Sequence, residues 1–123
     1  MSKMLEILNP DFSFLDERGS FWQLCHEGWS QVNVSTTKAG TFRGGHFHKK
    51  STEAFFIVNG DVDVTVERDD KTENYSFKTG DFFTVYPYAI HSFNFNADTV
   101  MVALYDIPVV KDDGSKDIYD KGE

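Results

Sequence analysis

The chain has a single cysteine, Cys25, among its 123 residues. An internal disulfide is therefore excluded, and a reducing compartment is expected. With no partnering base in view, that thiol reads as a packed side chain rather than a nucleophile. Positive charge is also scarce. Twelve Lys and Arg stand against 20 Asp and Glu, for a formal net charge of −8. That balance argues against general affinity for nucleic acid or for an anionic membrane surface. No apolar run approaches the roughly 20 residues that a membrane helix needs. Glu6, Asn9, Pro10 and Asp11 stand where a signal peptide would carry its apolar core. A cytoplasmic protein is the expectation. No glycine-rich phosphate loop opens a helix, and no serine pairs with a base, so those reaction classes are set aside.

What is present is aromatic and β-forming. Twelve phenylalanines suit a β-rich interior, and 40% hydrophobic content argues for a folded globule. One modest core and one domain fit this length. Short apolar runs are punctuated by Gly, Asn and Asp turns. Ser20–Leu24, Gln31–Thr36, Thr41–His48, Glu53–Val58, Tyr75–Lys78, Phe82–Val85 and Val100–Tyr105 all read as strands. Val62, Val64 and Val66 alternate with polar residues, the pattern of a half-buried strand. His91, Phe93 and Phe95 share a face on another. Asn59-Gly60 carries a hairpin signal, and Arg68 to Asn74 reads as a charged loop. No helix and no tandem repeat is visible. About eight or nine such strands predict an all-β sandwich or closed barrel over residues 1–110, with a polar tail over 111–123. Ala54 to Val58 offers apolar side chains to both faces. One face would line the barrel, and the other is expected in a homodimer interface.

The chemistry gathers around residues 40–60. His46 and His48, two apart on a strand, point to one face. The polar bend Lys49–Thr52 folds the chain back and brings Glu53 beside them. His91 is a further candidate from a separate strand. Buried in a Phe/Val-lined cavity without partners, these groups would cost several kcal/mol (roughly). A metal, a mutual hydrogen-bond network or a bound ligand must offset that. Imidazole and carboxylate are ordinary metal donors, so a metal site is the reading carried forward. Arg43 and Lys49 flank the histidines in an otherwise acidic chain. Arg43 has the strand parity opposite to His46, but a bulge at Gly44-Gly45 would re-aim it. A guanidinium there suits a carboxylate or phosphate. Tyr86, near His91, is a candidate proton donor.

These residues resemble the cupin superfamily. Gly40, His46, His48, Glu53 and Gly60 match the whole of its first motif in identity and spacing. Gly80 and His91 match the second. Pro87 lies one place late, Asn94 one place early, and Tyr88 stands where the family usually has glycine. The resemblance implies a small all-β, jelly-roll-like barrel that binds one divalent metal through His46, His48, Glu53 and His91. Zinc is the first expectation; iron, manganese or nickel would also suit. Asp16-Glu17-Arg18-Gly19-Ser20-Phe21 and Arg43-Gly44-Gly45-His46 look like segments of the nucleotide-sugar cupins. Those include dTDP-4-dehydrorhamnose 3,5-epimerases, dTDP-sugar 3,4-ketoisomerases and the cupin domain of capsular-polysaccharide epimerase/reductases. The last looks nearest. That similarity implies an epimerase or ketoisomerase of a nucleotide-linked 4-keto sugar in surface-polysaccharide synthesis. Arg43, Arg18 and Lys49 would bind substrate, and His46, His48 and Tyr86 would move protons. An iron-dependent oxygenase and a non-catalytic sugar- or metal-binding module are the alternatives.

Overall fold

The structure is a computed structural model and describes residues 3–123. Twelve strands form among the described residues: β1 Leu5–Ile7, β2 Phe12–Asp16, β3 Gly19–Gln23, β4 Gln31–Thr37, β5 Phe42–Phe47, β6 Glu53–Asn59, β7 Asp61–Arg68, β8 Lys71–Lys78, β9 Phe82–Val85, β10 Ile90–Phe95, β11 Thr99–Tyr105 and β12 Tyr119–Asp120. Among the described residues there is no helix, and so none long and apolar enough to cross a membrane. One sheet has the order β1-β9-β6-β11-β4 and the other β12-β5-β10-β7-β8, every pairing being antiparallel. The hairpin β2–β3 stands as a separate ribbon. The all-β architecture expected from the turn spacing is the one observed.

Period-two alternation explains the core. Val62, Val64 and Val66 of β7 are fully buried between the sheets, with Phe55 and Ile57 of β6, Phe83 of β9 and Phe93 of β10. Phe83 stacks on Phe77 with ring centroids 4.0 Å apart. Each such side chain contributes roughly 1.5–3 kcal/mol by leaving water. His91 lies in this same interior row, two residues from Phe93.

The structure corrects four local expectations. Asn59-Gly60 is not a hairpin turn, because β6 and β7 belong to opposite sheets. The chain crosses there, and Gly60 (φ +142) packs so closely on Thr99 that a Cβ would overlap it. The charged loop over 68–74 is mostly strand. Asp69 and Asp70 take left-handed φ of 51° and 67°, making a tight turn without glycine, and β8 begins at Lys71. Polar composition misled there because β8 is a sheet edge, exposed along most of its length. β2 escaped notice because both its faces are exposed. Finally, the outer face of β6 is covered by the chain itself. Ala54 and Phe56 pack with Phe82 and Leu104 beneath Trp22, Leu24 and Trp29. Cys25 joins that layer, and its thiol is pushed up by burial and by Asp11.

The segment after β11 does not trail away. Val109 and Asp117 are buried, and Tyr119–Asp120 adds an edge strand on Phe47 and His46.

Candidate functional site

Three histidines from two strands and a turn meet inside one end of the barrel. His46 lies on β5, His48 just past its end and His91 on β10, and their ligand atoms all fall within 4.8 Å of one another. His46 pairs directly with His91 across the ladder. Glu53, the first residue of β6, adds its carboxylate. Its Oε1 lies 2.9 Å from His48 Nε2 and 3.4 Å from His91 Nε2. His48, Glu53 and His91 are almost wholly buried, and of the four only His46 is partly exposed.

The electrostatics separate their states. Burial would raise the Glu53 carboxyl, but the hydrogen bond from His48 and the neighbouring His91 outweigh it, and the group sits at about 2. Burial would lower His48, but Glu53 and the Asp117 carbonyl raise it above the ordinary value. The pair is thus a buried imidazolium and carboxylate. His46 is lowered to about 4, by burial first and then by His91 and His48. It is neutral at pH 7. His91 donates from Nδ1 to the Ala89 carbonyl, 3.1 Å away. Its Nε2 is buried and makes no hydrogen bond, the contact to Glu53 being poorly placed for one.

The glycine pair does bend β5. The register slips between His91 and Ser92, so His46 faces His91 while Gly44 faces Ser92 and Arg43 faces Phe93. His91 and Phe93 both point inward, and the bulge turns Arg43 to that same side. Its Nε donates to Thr37 Oγ1 of β4 at 2.8 Å, linking the two sheets. Gly44 is required for the approach, since a Cβ there would lie 2.5 Å from the His91 carbonyl oxygen.

Other candidates do not reach the cluster. Tyr86 donates its hydroxyl to Glu6 at 2.5 Å. Arg18 is on the exposed turn of the β2–β3 ribbon, its guanidinium closed on Asp16 at 2.6 Å. Lys49 lies over the Tyr119 ring, 4.2 Å from its centroid. A groove of about 850 Å³ lies between Phe47, Arg68, Tyr86, Tyr88 and Ile90. Phe47 and Ile90 alternate with the histidines and face out of the barrel, so this space is not the histidine cavity. One residue missed in the sequence belongs at the site. Tyr105, the last residue of β11, pairs with Glu53 in the ladder, and its ring stands edge-on to His48 with centroids 5.7 Å apart. Burial, then the Glu53 charge, raises that phenol, so it keeps its proton. Its inward parity with Met101 was legible, but its register against Glu53 was not.

Solved structures share this architecture. The sugar 3,4-ketoisomerase QdtA from Thermoanaerobacterium thermosaccharolyticum, in complex with TDP, superposes with a TM-score of 0.81 at 17% identity, over 99% of this chain and 91% of that one. The dTDP-4-dehydrorhamnose 3,5-epimerase from Bacillus anthracis, with TDP and PPi bound, gives 0.72 at 25% identity, over 89% and 75%. The capsular polysaccharide assembling protein CapF from Staphylococcus aureus gives 0.66 at 22% identity, over 94% of this chain and 34% of that one. The shared fold is the cupin barrel. No curated protein is significantly similar in sequence. Residues 14–110 match the model of the polysaccharide biosynthesis C-terminal domain, and with more than half of its length so matched the chain belongs to that family.

Proposed function

We propose that this chain is an epimerase or ketoisomerase acting on a nucleotide-linked 4-keto sugar. The observation that carries this reading is the neutral, partly exposed His46 beside the buried His48–Glu53 pair, the two imidazole centroids 5.6 Å apart. A hydrogen on a carbon beside a ketone is weakly acidic, so its removal needs a base and a stabilised enediolate oxygen. In the metal-free protein, neutral His46 accepts that proton. The His48 imidazolium and the Arg43 guanidinium supply positive charge for the oxygen. Tyr105, which keeps its proton, is the donor that returns one, to the opposite face or to the neighbouring carbon. The TDP complexes of the similar ketoisomerase and epimerase support a nucleoside diphosphate as the handle.

A metal-bound form is the second reading, favoured by His91 Nε2, a buried nitrogen without a hydrogen-bond partner. Three imidazoles and a carboxylate are the donor set of a zinc site. His46, His48, His91 and Glu53 would hold the ion, which when bound supplies Lewis-acid stabilisation of the enediolate oxygen. His46 is then occupied as a ligand, and Tyr105 is left as the group that moves protons.

A homodimer is part of the proposal. Phe12, Phe14 and Phe21 form an exposed aromatic face on the β2–β3 ribbon, the rings of Phe14 and Phe21 stacked at 5.4 Å. Val32 and Val34 are exposed on β4, an edge of its sheet. A second copy would cover both patches reciprocally.

The test is incubation with a dTDP- or UDP-4-keto-6-deoxy sugar in D₂O, followed by mass spectrometry. Deuterium at carbons flanking the ketone is expected, and its absence counts against the reading. Exchange that rises with a chelator identifies His46 as the base. Exchange that falls identifies the metal-bound form as the working one.

A further inference from the structure

We propose that the C-terminal arm, residues 106–120, is a positioning element of the site, and that Asp117 sets the orientation of His48. Four residues, Lys49 to Thr52, separate His48 from Glu53 in the chain. Every one of them gives its backbone N–H to an aspartate of the arm. Lys49 donates to Asp117 Oδ1, and Lys50 and Ser51 both donate to Asp117 Oδ2, each at 2.9 Å. Thr52 donates to Asp106 Oδ1 at 2.7 Å. The turn that fixes the spacing of His48 and Glu53 is therefore held from outside the barrel motif.

Asp117 acts a second time through its main chain. His48 Nδ1 donates to the Asp117 carbonyl oxygen at 2.6 Å. A carbonyl only accepts, so Nδ1 carries the hydrogen and Nε2 is directed at Glu53. The Asp117 N–H in turn donates to the Val109 carbonyl at 2.8 Å. Asp117 is 2% exposed. A buried carboxylate satisfied by three successive N–H groups is a rigid anchor, made of charge-assisted bonds. Loss of the carboxylate frees the backbone at residue 117 and with it the carbonyl that orients the ring.

The experiment compares Asp117→Ala and Asp117→Asn with Asp113→Ala, an exposed arm aspartate whose side chain bonds only Ser115. Proteins labelled with ¹⁵N-histidine are observed by NMR without substrate. In the unaltered protein, His48 should show an Nδ1–H signal in slow exchange with water. Asp117→Ala should abolish it while the fold is retained, and Asp113→Ala should leave it unchanged. If Asp117→Ala does not fold, Asp117→Asn, which keeps one acceptor oxygen, should weaken the protection. An unchanged His48 signal in the folded variant overturns the proposal. The consequence for turnover rests on the function proposed above. There kcat should fall about 10–100-fold with KM little changed, the usual cost of losing an outer-shell partner. Because the spectrum needs no sugar, an inactive unaltered protein would count against the function and leave this inference to be decided by the signal alone.

Discussion

His48 Nε2 and Glu53 Oε1 lie 2.9 Å apart in a site almost closed to solvent, and each holds the other in its charged state. In the metal-free protein, Glu53→Ala removes the carboxylate that stabilises the imidazolium. His48 then loses its proton rather than stay charged alone, which keeps the cost at the low end for a broken buried pair, about 3 kcal/mol. Urea denaturation at pH 7 measures it. A loss below about 1 kcal/mol, the range of an exposed pair, would mean that the two do not form a buried ion pair.

Acid should destabilise the metal-free protein in two stages. The folded-state value of His46 is lowered to about 4 from an ordinary 6.5. Below pH 6.5 the unfolded chain binds a proton that the folded one refuses, so stability falls as the pH drops toward 4. Glu53, lowered to about 2 from 4.5, extends the loss below that. Its contribution is complete above pH 4.5 and vanishes as the pH passes 2. His46→Gln should flatten the urea midpoint between pH 7 and pH 5. An equally steep dependence in that variant would remove His46 from the account.

Gly44 and Gly45 should respond differently to alanine although both have positive φ. Gly44 has φ +104, and a Cβ there would lie 2.5 Å from the His91 carbonyl oxygen, which is backbone and cannot give way. Gly44→Ala should part β5 from β10 and cost about 3 kcal/mol or more. Gly45 has φ +80 and open space around it. Gly45→Ala should cost only the left-handed strain, about 1–2 kcal/mol. Thermal denaturation of both variants checks the order. Equal losses would show that the bulge does not bring the strands into contact.

The aromatic face of the β2–β3 ribbon supplies a test of self-association. Phe14→Asp places a charge between Phe12 and Phe21, whose rings lie 6.2 Å apart. No interior residue is touched, so the fold should survive. Sedimentation equilibrium should show dimer dissociation strengthened by more than about thirtyfold, the effect of one strong interface residue. An unaltered dimer would place the interface elsewhere.

The period-two rows of Val62 to Val66 and of His91 to Phe95, and the spacing of His46, His48 and Glu53, were legible in the chain. Alternation is local, and it fixes which side chains share a face wherever one face must be buried. The bulge at Gly44-Gly45 was legible as a possibility, because only glycine tolerates that backbone cheaply. The tertiary structure decided what local rules cannot reach. It chose Tyr105 over Tyr86 as the phenol beside Glu53, because ladder register between distant strands depends on the whole barrel. It sent Asn59-Gly60 across from one sheet to the other, since the same turn residues serve a hairpin or a corner. And it folded a polar C-terminal segment back onto residues 49–52, where buried N–H groups required acceptors that no sequence pattern announces.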